Sequence, residues 1–162
     1  MKTSIMITIV LLLAVGLVAQ ETLRGIPVTT YPFYVYKDGG SELNHYIPSG
    51  WMGDYGDIQI NENIQKNPKD GKSCFRIIYN AQGAQSQQWA GIYWQNPANN
   101  WGEKKGGYDL SKAKKLTIWA RGKDGGETVE FKMGGIKGKY ADTGTETSGV
   151  VKLTKGWKQY SI

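Results

Sequence analysis

The chain has 162 residues, room for one domain, and is rich in Gly (22), Tyr (10) and Trp (6), with few long Leu/Ala-rich periodic segments. That composition suits short strands and many turns and argues against a helical fold. One cysteine and one histidine argue against zinc, and a net charge of +6 spread over scattered lysines reads as a solvated surface.

Residues 1–19 have the pattern of a secretory signal peptide. Lys2 supplies the positive start, an apolar run spans residues 5–18, and the small Ala19 sits where cleavage would fall. An uncleaved anchor is the competing reading, but the run is shorter than the roughly 20 residues a spanning helix needs. Removing Lys2 lowers the net charge from +6 to +5. A secreted, extracellular or cell-surface protein is expected, with no membrane contact after cleavage and no nucleic acid as partner. An anionic glycan stays compatible with the charge. Residues 20–30 read as a linker.

From residue 31 onward, short apolar runs alternate with turn clusters. Strands are expected at 33–37, 57–60, 74–79, 88–94, 115–121, 127–133, 149–153 and 157–162. Between them lie Asp38-Gly39-Gly40, the NPKDG run at 67–71, the NPANN run at 96–100 and the KDGG run at 123–126. Gly and Asn accept positive φ and Pro fixes φ, so these are turns. The pattern predicts one all-β domain over 31–162, an antiparallel β-sandwich of jelly-roll type. The last run reads as the first part of a strand with no closing turn, as in a piece of a longer protein; a natural terminal strand is the alternative. An incomplete sandwich would expose an edge open to self-association. Cys74 opens the run CFRIIY and reads as a buried thiol, or as one whose partner lies elsewhere.

Strand parity assigns faces. In 88–94, Ala90, Ile92 and Trp94 share one side, and Trp89 and Tyr93 are the large groups on the other. In 115–121, Leu116, Ile118 and Ala120 oppose Thr117, Trp119 and Arg121. In 127–133, Val129, Phe131 and Met133 oppose Thr128, Glu130 and Lys132. The apolar sides belong to the core. Were the three strands in one sheet, its outer face would carry Trp89, Tyr93, Trp119, Arg121, Glu130 and Lys132 together. Ring faces cover the C–H faces of pyranoses and polar neighbours satisfy hydroxyls, so this set suits a sugar. Trp51 and Trp101 are expected in loops, as lids or plugs over that face. Cross-strand aromatic pairs that only stabilise the sheet are the competing reading.

Catalysis has little support. Glu127 and Glu130 face opposite sides of one strand and cannot form the carboxylate pair of a glycosidase. His45 has no partner for a triad, and no Gly-x-Ser-x-Gly occurs. Asp38, Glu42, Asp54 and Asp57 offer oxygens to calcium, or serve as turn and cap residues.

YDLSKAKKLTIWARG at 108–122, ETVEFKMGG at 127–135 and VVKLTKGWKQYSI at 150–162 together resemble the jelly-roll carbohydrate-binding modules of the galactose-binding-like superfamily. The resemblance covers about residue 33 to the end. It implies a module of the kind attached to bacterial glycoside hydrolases, with Trp89, Tyr93 and Trp119 on the sheet and Trp101 at its rim as binding aromatics. It also implies a structural calcium near the first strands, for which Asp38 and Glu42 are the candidates. Chains of that superfamily continue beyond the position of Ile162, in line with the fragment reading.

The expected function is non-catalytic binding of a polysaccharide by a secreted module. The alternatives are a structural or adhesive module whose aromatic face meets another protein, and an accessory piece of a glycoside hydrolase.

Overall fold

The computed structural model describes residues 25–162. The expected signal peptide and the first part of the expected linker fall outside the described residues.

Ten strands follow one another: β1 (Ile26–Pro27), β2 (Ile47–Gly53), β3 (Ile58–Ile64), β4 (Cys74–Tyr79), β5 (Ala90–Gln95), β6 (Tyr108–Asp109), β7 (Thr117–Ala120), β8 (Thr128–Gly134), β9 (Thr145–Lys152) and β10 (Lys158–Ser161). A single 3-10 turn covers Tyr55–Asp57, and no α-helix occurs among the described residues. The fold is all-β. The strands pair two by two: β2 with β5, β3 with β4, β7 with β10 and β8 with β9, all antiparallel, while the short β1 runs parallel to β6.

Aromatic contacts join the ladders. Phe75 of β4 lies 5.4 Å from Trp94 of β5, ring centre to ring centre. Phe131 of β8 lies 5.4 Å from Tyr160 of β10. Such pairs add about 0.5–1.5 kcal/mol each beyond the area they bury. Phe33, His45, Tyr46 and Tyr108 form a third cluster, with centroid distances from 4.2 to 6.4 Å. Burial pushes the Tyr46 hydroxyl up to about 12. Alongside the buried Val28 and Tyr160, five polar side chains are buried: Ser49, Asp54, Ser73, Gln95 and Asn100. Buried polar groups must be hydrogen-bonded, so the loops are tied down as much by these side chains as by apolar packing.

Three expectations differ from the structure. Residues 33–37 form no strand; Tyr34 and Val35 offer carbonyls to the N–H groups of His45 and Tyr46, and the Phe33 ring turns onto Tyr108. Trp51, expected in a loop, is a strand residue of β2 opposite Ile92. Residues 25–30 are no linker, because β1 pairs with β6 and Val28 is buried.

Candidate functional site

Directly opposed residues of an antiparallel pair share a face. In the β2–β5 ladder Gly50 opposes Tyr93 and Met52 opposes Gly91, so these four lie on one side. Two tryptophans turn onto this side where the strands carry glycine. A Cβ at Gly50 would sit 2.9 Å from Cζ2 and 3.0 Å from Cη2 of Trp101. A Cβ at Gly91 would sit 3.3 Å from Cζ3 of Trp89 and 3.1 Å from Cε of Met52. Only a bare backbone lets the indoles come this close. Trp89 is 50% and Trp101 44% exposed, so each keeps much of its ring in solvent. The two support points are two residues apart along the strands, about 7 Å at 3.4 Å per residue.

Trp89 is placed from the chain just before it. Asp54, fully buried, accepts N–H bonds from Gln85 (2.8 Å), Gln87 (2.9 Å) and Gln88 (2.7 Å). Its own N–H donates to the Trp89 carbonyl at 2.7 Å. Ser86 and Gln88 adopt φ of 57° and 62°, a region non-glycine residues seldom enter, and the Asp54 bonds hold the segment that bends there. These N–H groups, that of Gln87 foremost, keep the Asp54 carboxyl below the usual carboxylate range. Asp57 repeats the device nearby, accepting from the N–H groups of Gln82, Gly83 and Ala84.

Trp101 is placed by the loop after β5. The Ser49 hydroxyl donates to Gln95 Oε1 at 2.9 Å, and Gln95 Nε2 donates to the Asn100 carbonyl at 2.9 Å. Asn100 Oδ1 accepts from Gly102 and Lys104, and its Nδ2 donates to the Lys104 carbonyl at 2.7 Å. Tyr93 stands edge-on to Trp101, centroids 5.9 Å apart. Its hydroxyl donates to the Gly134 carbonyl at 2.8 Å, with Asp142 Oδ2 3.3 Å away. Burial, then the Asp142 charge, push the Tyr93 hydroxyl well above the ordinary tyrosine value. Tyr93 is thus a prop for the platform, half covered, and the flat surfaces on offer are Trp89 and Trp101.

The remaining expected residues fall elsewhere. β5, β7 and β8 belong to three different ladders, which corrects the single sheet expected from parity. Trp119 does point outward, 45% exposed, but Lys69 Nζ sits 4.3 Å from its ring centre. Arg121 stands over Trp157 at 5.3 Å. Glu130 and Lys132 pair with each other at 3.2 Å on β8. Thr147 donates to Glu130 at 2.7 Å, and that bond, then Lys132, hold the Glu130 carboxyl below its usual range.

The calcium candidates are not brought together. Asp38 accepts from Gly39, Lys72 and Ser73 N–H groups and from the Ser73 hydroxyl, at 2.6–2.8 Å. The Ser73 hydroxyl foremost lowers its carboxyl from 3.8 to about 2. A cation would have to displace those donors, so the fit fails at Asp38, and Glu42 is an exposed loop residue. No group of three His, Cys, Asp or Glu able to hold a metal occurs among the described residues. His45 is structural: its Nδ1 meets the Tyr34 carbonyl at 2.9 Å inside the aromatic cluster. Cys74 is a half-buried free thiol whose S–H lies 3.5 Å from the Ile64 carbonyl.

Gly50, Gly91, Gln95 and Asn100, which build the platform, carry no functional signal in the sequence, and Asp54, expected as a calcium or turn residue, is the acceptor that ties the segment before Trp89. The chain matches no family model, no curated protein and no solved structure.

Proposed function

We propose that the protein is a secreted, non-catalytic module that binds a polysaccharide on the Trp89–Trp101 platform, with its ladders arranged as a jelly-roll sandwich. The observation that carries this reading is the pair of half-exposed indoles laid against the strand backbone at Gly50 and Gly91. Flat rings with one free face suit the C–H faces of pyranoses, and each stack contributes on the order of 1 kcal/mol beyond area burial if aromatic-pair magnitudes transfer. Two weak stacks on one polymer reinforce each other, because the second binds at the effective concentration the first sets. Held loops on both sides spare the ordering cost that mobile aromatics would incur. Such a module would hold an attached enzyme, or a surface assembly, on its glycan.

A panel of immobilised neutral polysaccharides tests this. The wild-type chain should be retained by at least one, and Trp89→Ala and Trp101→Ala should each lose retention while keeping the wild-type melting curve. Retention unchanged in both variants would reject the platform.

A second reading, a module that meets another protein, is favoured by β4. Ile77, Ile78 and Tyr79 are 49%, 38% and 38% exposed on a two-stranded ladder with free edges. Concentration-dependent association without any glycan would support it.

A further inference from the structure

The turn between β3 and β4 folds onto the β7–β10 ladder. Trp119 opposes Gln159 there, and alternation puts Arg121 and Trp157 one step further along the same side. Trp157 Nε1 donates to the Asn67 carbonyl at 3.1 Å, which seats the turn. From the other side Asp38 holds the N–H groups of Lys72 and Ser73, and a side chain at Gly71 would run into its carboxylate. The fixed turn leaves Lys69 4.3 Å from the Trp119 ring centre, and on the same side of the ladder Arg121 stands 5.3 Å from the Trp157 ring centre. The ion pairs of the described residues are Lys37 with Asp70 and Lys132 with Glu130, so among the described residues neither Lys69 nor Arg121 has a carboxylate partner.

We infer that this face is a second site, one for an acidic polysaccharide whose carboxylate or sulfate groups are gripped by Lys69 and Arg121 beside the Trp119 and Trp157 rings. Each cation is held against a ring with no carboxylate in salt-bridge reach among the described residues, so a ligand anion would supply the counter-charge. Arginine meets a planar carboxylate or a sulfate with two parallel N–H bonds. The rings hold the cations in place, and the part of Trp119 that Lys69 leaves in solvent, 45% of the residue, supplies apolar area for the sugar. The chain's net charge of +6 favours approach of a polyanion. The site does not depend on the Trp89–Trp101 platform.

Affinity electrophoresis in gels containing polygalacturonate, dextran sulfate or neutral dextran tests the inference, with folding checked by circular dichroism. The wild-type chain should be retarded by an acidic polymer, less so at high salt. Retardation by polygalacturonate alone assigns carboxylate, by dextran sulfate alone sulfate, and by both a general anion grip. Lys69→Gln and Arg121→Gln should each weaken that retardation about tenfold, the worth of one charged contact. Lys112→Gln with Lys114→Gln, and Trp89→Ala with Trp101→Ala, should not change it. No retardation by either acidic polymer, or equal weakening by the Lys112/Lys114 pair, would overturn the site.

Discussion

Asp54 holds Trp89 from two directions: its N–H donates to the Trp89 carbonyl, and its buried carboxylate gathers the N–H groups of Gln85, Gln87 and Gln88. Replacing Asp54 by Ala would leave these donors without their acceptor in a half-buried loop. Stranded buried donors are costly, so the melting temperature should fall on the order of 10 °C and glycan retention should vanish with it. Calorimetry and retention measured on the same preparation check both. A variant that melts like wild type would show that the loop does not need this carboxylate.

The glycines beneath the indoles are a second test. Gly50→Ala puts a Cβ 2.7 Å from the Tyr93 Cβ and against Trp101, so something must move. Overpacking of this kind costs about 1–3 kcal/mol, and retention should drop with it. Gly144 has nothing within 4 Å of the added methyl, and Gly144→Ala should change neither property. Urea melts of the two variants give the comparison.

Stability should depend on pH at both ends. The Asp38 carboxyl is lowered from 3.8 to about 2, and those of Asp54, Glu127 and Glu130 are lowered as well. A lowered acid stabilises the fold above its unfolded value; for Asp38 that contribution is lost as pH falls from 3.8 towards 2, and the other three carboxyls add to the same acid limb. At the alkaline end Tyr46, raised from 10.0 to about 12, stabilises fully below 10.0 and loses its contribution as pH climbs through 12. Urea midpoints should therefore form a plateau between these limbs. Asp38→Asn should flatten the acid limb.

Tyr93 links the platform to the end of β8 through one hydroxyl. Tyr93→Phe should cost about 1 kcal/mol, the ordinary worth of such a bond. It should also remove the most alkali-resistant tyrosine from a spectrophotometric titration, because burial and Asp142 raise that hydroxyl.

Much of the local structure was legible in the sequence. CFRIIY is β4 as read, and Ile118, Val129 and Phe131 turn inward while Trp119 turns outward, as alternation requires; Met133, expected on the same inner side, is 38% exposed, beyond the register shift between Glu130 and Lys132. Pairing was not legible. β5 joins β2, some forty residues away, and period-two patterns do not say which strand lies alongside. β2 itself was hidden because IPSGWMG carries a proline and two glycines, ordinarily turn residues. One glycine seats an indole, and the ladder slips register between Pro48 and Gly50. The acids near the start of the domain resembled metal ligands in sequence because loop-tying carboxylates and cation ligands share a composition. Only their donors tell them apart, and Asp38, Asp54 and Asp57 are filled by N–H groups.

The central claim is that two particular indoles of six carry the ligand. Each tryptophan gives its own indole N–H signal in a nitrogen-correlated spectrum, so a titration with soluble neutral oligosaccharides reads the site directly. The Trp89 and Trp101 signals should shift together and saturate, with Trp94 and Trp157 unmoved. Shifts confined to other tryptophans, or no shift across the whole series, would contradict the assignment.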